Sequence, residues 1–262
     1  MLVKAGLSGA EALKLYGIVT GMAIPVLMIP STLIGSLSAV LVPELSEDYY
    51  RKNKTRLYKN LSRGLCVAFI LSCAIIPFFY ALGEKLGALA FASALAGELI
   101  KKGGWILLPM SLTMITTSML NSMGFEKQTF VFYFIGAGAM LLCILLLPPL
   151  LGAYAYVFGL GVSFLVTALC NFCLLLKKCD GFAQLYGKQL KSVFLRAGIA
   201  VLPLSVLTAL FVTLFSRFLS AFLCMLLSAL LGGGCSVALY YALGLIPAMR
   251  FSSLKRKKLG KS

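Results

Sequence analysis

The residues best able to do chemistry within the apolar stretches of this sequence are hydroxyls, amides and prolines rather than acids or bases. The run YGIVTGMAIPVLMIPSTLIGSLSAVLVPELSE carries Pro25 and Pro30 deep inside it, with Thr20, Ser31, Thr32, Ser36 and Ser38 around them. Each proline removes a backbone hydrogen bond and crowds the preceding turn. In lipid, freed carbonyls need partners, so such breaks face protein or a water-filled cavity. The segment therefore reads as a bendable helix lining a central cavity, or as one packed closely through Gly17 and Gly21. Glu44, Glu47 and Asp48 read as helix-end residues that pair with the basic loop following them. Two amides complete the candidate cavity set of Thr20, Pro25, Pro30, Ser31, Ser36, Asn121 and Asn171. Asn121 closes a hydroxyl-rich stretch and also reads as a cap or loop residue. Asn171 lies deeper and is placed to hydrogen-bond between helices.

What is absent narrows the chemistry. The chain has no histidine, which removes the usual general base and imidazole metal ligand. No Asp, Glu, Lys or Arg falls at the centre of an apolar run, where ion and proton sites are marked by buried charge. Cys170 and Cys173 form a C-x-x-C with no His or acidic neighbour, so both read as small packing residues. No disulfide framework is implied. We expect no catalytic residue, no metal and no cofactor, and so no enzyme.

These residues must be positioned by membrane helices. Of 262 residues, 60% are hydrophobic and 12% charged, against about a quarter charged in an ordinary soluble domain. Uncharged gaps locate the spans, since about 20 apolar residues cross the hydrocarbon. They place helices at 16–42, 64–83, 103–122, 128–147, 153–176, 197–216 and 219–246, with a basic tail at 250–262. Pro148, Pro149 and Gly152 split a 49-residue uncharged gap into a hairpin. Only 12 uncharged residues separate Lys85 from Glu98, too few to cross, so this stretch is expected at the interface or against the bundle. The segment LVKAGLSGAEALKLYG is expected to lie along the surface as well.

The net charge of +16 would suggest nucleic acid in a soluble protein. Here it reflects basic cytoplasmic loops facing anionic lipid, and no nucleic-acid partner is expected. Eighteen of the 24 basic residues fall on one side of the seven spans. The positive-inside rule puts that side, with the C-terminus, in the cytoplasm of a bacterial plasma membrane and the N-terminus outside. An outside N-terminus without a preceding signal leads us to expect a further span upstream.

Three runs carry a family resemblance. Gly6 to Glu47 resembles the start of the C-terminal lobe of the stage V sporulation protein B family, within the multidrug/oligosaccharidyl-lipid/polysaccharide exporter superfamily. GGWILLPMSLTMITTSMLNSMGFEKQTF is similar to that family's S-x-L-N/Q-G-x-G-K-Q segment, with Ser122 in place of glycine and Glu126 added after Phe125. PPLLGAYAYVFGLGVSFLVTALCNFCLLLKK resembles the hairpin that follows. The resemblance implies an all-α lobe of seven membrane helices from a fourteen-helix flippase. Such a flippase exports lipid-linked polysaccharide or cell-wall precursors, including those of spore cortex peptidoglycan, by alternating access. It also implies an N-terminal lobe, or self-association, as partner, alongside membrane lipids and the lipid-linked saccharide. No span holds an arginine, so the family's pyrophosphate-binding arginines have no counterpart here. The alternatives are a cation-coupled multidrug exporter of the same superfamily and a non-transporting membrane partner of a cell-wall complex.

Overall fold

The computed structural model describes residues 8–218 and 220–245. Among them it shows helices and turns and no strand. Seven helices are long and apolar enough to cross a membrane: α1 (Gly9–Met28), α3 (Lys54–Phe91), α4 (Ala94–Ser122), α5 (Glu126–Leu146), α6 (Tyr154–Lys178), α7 (Phe182–Phe215) and α8 (Ala221–Ala242). Helix α2 (Ser31–Tyr50) continues α1. Exposed Phe130, Phe134, Leu142, Leu202, Leu210 and Leu230 on α5, α7 and α8 give the apolar outer surface of a multi-pass membrane protein.

From Ser8 onward the N-terminal segment does not form a separate element; its residues 2–7, like the basic tail at 250–262, lie outside the described residues. Ser8 and Glu11 close a capping box, and the helix they start runs straight into the first span. Its ladder is interrupted twice, each time at a proline. Ahead of Pro25 the chain widens into a π segment, Val19–Ala23, which gives the Gly21 carbonyl room beside the ring. Before Pro30, the orphaned Val26 carbonyl accepts the Ile29 N–H at 3.2 Å instead. Ile29 and Pro30 keep right-handed helical angles, so α1 and α2 form one 42-residue rod, about 63 Å long at helical rise.

Helix α3 is the centre of the bundle, packing on α2, α4, α7 and α8, while α5 and α6 pair with each other and α6 with α4. The stretch between Lys85 and Glu98, expected at the interface or against the bundle, forms the tip of a helical hairpin. Helix α3 runs through it to Phe91, Ala92 turns in the left-handed region (φ 49°), and Ser93 caps α4. Counting charges failed here because these charges pair with one another: Glu84 with Lys101 at 2.8 Å and Glu98 with Lys102. Gly83, Gly87 and Gly97 let the two backbones touch.

The turns divide between two ends. Those at 51–53, 123–125 and 179–181 form a basic end, and those at 92–93 and 147–153 the opposite end. Two apolar clusters fill the interior. One, toward the basic end, includes Leu45, Leu61, Leu65, Ile115, Met119, Leu175 and Phe182. The other includes Leu27, Phe79, Ile100, Ile106 and Met110.

Candidate functional site

The rod α1–α2 places the sequence candidates at different depths. Its buried stripe, Val19, Ala23, Leu27, Ile34, Leu41 and Leu45, faces the bundle. On the opposite side Gly17, Gly21, Pro25, Ile29, Thr32, Ser36, Val40 and Pro43 are exposed at spacings of three and four residues. This open stripe is uncharged along its length, and a Cβ added at Gly17 or Gly21 would meet nothing within 4 Å. Thr20 and Ser31 lie half-buried on its flank, and Pro30 is buried.

Four hydroxyls of the rod are paired within it. Thr20 donates to the Tyr16 carbonyl at 2.8 Å, Thr32 to Ile29 at 2.9 Å, Ser36 to Thr32 at 2.9 Å and Ser38 to Ile34 at 3.0 Å. Such back-bonding within one helix satisfies the donor without a neighbouring group. The open stripe thus mixes small and hydroxyl-bearing residues with the exposed Ile29 and Val40, and it is free of titratable groups. It can admit another helix or a bulky solute at close range, and it offers no acid–base chemistry.

The two asparagines sit elsewhere. Asn171 is fully buried where α6 meets α4, its amide donating to Thr117 Oγ1 at 2.8 Å and Thr116 Oγ1 at 3.3 Å. Thr113 adds a second tie between these helices, donating to the Phe164 carbonyl at 2.6 Å. With the buried Ser72–Ser111 pair joining α3 to α4, these groups form a polar layer between the two apolar clusters. Asn121 accepts from Thr129 Oγ1 at 2.7 Å across the turn from α4 to α5. The open stripe and the asparagines therefore belong to separate parts of the bundle.

The burial of one acid and one cavity escaped the reading of the sequence. At the basic end Asp48 is 2% exposed, accepting from Asn60 Nδ2 at 2.9 Å and pairing with Arg56 Nε at 3.3 Å. Glu47 pairs with Arg51 at 3.1 Å, as expected of a helix-end acid beside a basic loop. At the opposite end, a cavity of about 750 Å³ opens on α3 and α4, lined by Tyr80, Glu84, Glu98, Lys101, Lys102 and Trp105. Trp105 Nε1 donates to the Tyr154 hydroxyl at 2.8 Å, which donates in turn to the Lys102 carbonyl at 2.9 Å. Its carboxylates and ammonium groups are mutually neutralised. The sequence signal for it was Gly83 and Gly87 at four-residue spacing, answered by Gly97.

All eight cysteines are free, with Cys173 exposed and Cys170 half-buried. Among the described residues no group of three His, Cys, Asp or Glu side chains is placed to hold a metal ion. No protein-family model, curated protein or solved structure matches the chain.

Proposed function

We propose that this chain is one lobe of a two-lobed membrane transporter that moves lipid-linked cell-wall or polysaccharide precursors across the bilayer by alternating access. In this reading the open stripe of α1–α2 faces the second lobe across the translocation path. The observation that carries it is the contrast between exposed surfaces. Helices α5, α7 and α8 expose large side chains such as Phe134, Leu202 and Leu230, which suit lipid tails. The rod exposes Gly17, Gly21, Pro25, Thr32 and Ser36 along one line, interleaved with the larger Ile29 and Val40 and flanked by Tyr16 and Leu33. Small and hydroxyl-bearing residues on a membrane helix suit close approach to protein or a hydrated path. The π segment and the displaced bonds at Pro25 and Pro30 mark where such a rod bends as two lobes rock.

The test separates folding from transport. Gly21→Leu combined with Ser36→Leu adds bulk only on the open side, so the protein should reach the membrane at normal levels. Flipping of the lipid-linked saccharide by the two-lobed protein in vesicles should fall at least tenfold. Phe134→Leu, on the outer surface of α5, should leave it unchanged. Unaltered flipping in the stripe variant would refute the proposal.

A further inference from the structure

Helices α6 and α7 leave the turn at Cys179–Gly181 on different courses. Helix α6 packs along α4 and α5, whereas α7 packs along α3 and α8. Between them, near the basic end, lies a groove of about 520 Å³. Phe172 and Leu176 line it from α6, and Gly187, Leu190 and Phe194 from α7. Phe182, fully buried against Tyr58, closes its end. The walls are hydrocarbon, and one charged side chain, Lys191, reaches the rim.

The charge around this groove is one-sided. Residues 177–191 hold Lys177, Lys178, Lys188 and Lys191 against the single acid Asp180. None of these lysines belongs to an ion pair among the described residues. Lys178 is turned over the Phe125 ring at 5.1 Å, while Lys177, Lys188 and Lys191 are exposed. Lys191 lies six residues before Ala197, where the uncharged run of α7 opens, which is about 9 Å along the helix. That offset places an ammonium at headgroup depth beside an apolar slot that leads toward the hydrocarbon.

We infer that this groove is a binding site for an anionic phospholipid of the adjacent leaflet. An acyl chain would lie on Phe172, Leu176, Leu190 and Phe194, with the phosphate held by Lys191 and Lys188. Basic rims over interhelical grooves select anionic headgroups, each lysine contributing roughly a fivefold preference. A zwitterionic lipid would fill the slot equally well but bring no net charge to the rim. This inference needs only that the helices span a membrane, and it stands apart from the transport proposal.

The test uses the purified chain in nanodiscs of phosphatidylglycerol and phosphatidylcholine in equal parts, with retained lipid counted by native mass spectrometry. The wild type should retain phosphatidylglycerol selectively. Lys188→Gln with Lys191→Gln should lower that selectivity about 25-fold, two lysines at roughly fivefold each. Gly187→Phe tests the slot itself. Nothing lies within 4 Å of a Cβ added there, and Gly187 lines the groove, so the ring is directed into its open space. It should remove retained lipid of both kinds while helix content by circular dichroism stays unchanged. Loss in the lysine variant with full retention in Gly187→Phe would mean surface attraction alone and overturn the groove. Loss in Gly187→Phe with unchanged selectivity in the lysine variant would overturn the anionic assignment. Displacement of phosphatidylglycerol by an equimolar polyprenyl phosphate would make the occupant the lipid-linked substrate rather than bulk phospholipid, and overturn the source.

Discussion

Replacing Gly97 by alanine should loosen the hairpin between α3 and α4 more than any other single methyl added to a glycine on the open stripe of the rod. A Cβ at Gly97 would stand 2.7 Å from the Glu84 carbonyl oxygen and 2.8 Å from Glu84 Cα. Ordinary contact begins at 3.4 Å, so the helices must part by about 0.7 Å. Both obstacles are backbone and cannot rotate away. The facing glycine, Gly87, has the Gly97 backbone as its own nearest obstacle, so the strain cannot be passed across the pair. Overpacking of this kind costs about 1–3 kcal/mol, while alanine returns up to about 1 kcal/mol of helix propensity. The net loss should be about 2 kcal/mol, taking the upper part of that range for a backbone obstacle.

Gly21→Ala supplies the internal standard, since it gains the same propensity and meets nothing within 4 Å. It should be neutral or stabilising by up to about 1 kcal/mol. Unfolding with a denaturing detergent, followed through Trp105, reads both variants, because this sole tryptophan sits at the foot of the same hairpin. Equal stability of Gly97→Ala and Gly21→Ala would refute the close backbone contact.

Three further outcomes can be measured directly. Asp48→Ala strands the Asn60 amide in a buried site and should cost about 1–3 kcal/mol, whereas Arg56→Gln, at a side chain 55% exposed, should cost under about 1 kcal/mol; equal costs in the same unfolding assay would contradict this burial. Tyr154→Phe removes the acceptor of the Trp105 indole, should cost about 1 kcal/mol, and should make Trp105 easier to quench with iodide, so unchanged quenching would count against that bond. A reporter active only in the cytoplasm should work when inserted at the 179–181 turn and fail at 92–93, the reverse pattern overturning the orientation drawn from charge.

Much of the bundle was legible because lipid imposes a simple rule: an uncharged run of sufficient length becomes a helix. The rule broke down where charges satisfy each other. Glu84, Glu98, Lys101 and Lys102 looked like the ends of spans, but their pairing lets α3 and α4 continue past them to a turn at Ala92. Asn171 was readable as a bond between helices, since a deep amide in an apolar run has few other outlets. Its partners, Thr116 and Thr117, depend on the rotation of α4 against α6, which no spacing along one chain specifies. Asp48 was readable as a helix-end acid and not as a buried one, because its burial comes from Asn60 and Arg56 folding back from α3.

The hydroxyls of the rod bear on whether the chain can exist alone. A hydroxyl without a partner in hydrocarbon costs several kcal/mol, and on that ground the open face would demand a protein neighbour. The geometry lowers the demand, because Thr20, Thr32 and Ser36 each donate to a carbonyl of their own helix. What remains on the stripe is a line of small side chains interrupted by Ile29 and Val40, over which lipid tails can pack with little polar penalty. A second lobe would then be needed for transport and not for folding, since a headgroup can be shielded only between two facing surfaces. Purified in mild detergent, the chain should therefore be a folded monomer by light scattering, and in vesicles it should not flip a lipid-linked saccharide. Obligate dimers would show that the stripe requires protein cover, and flipping by the monomer would show that one lobe encloses a path of its own.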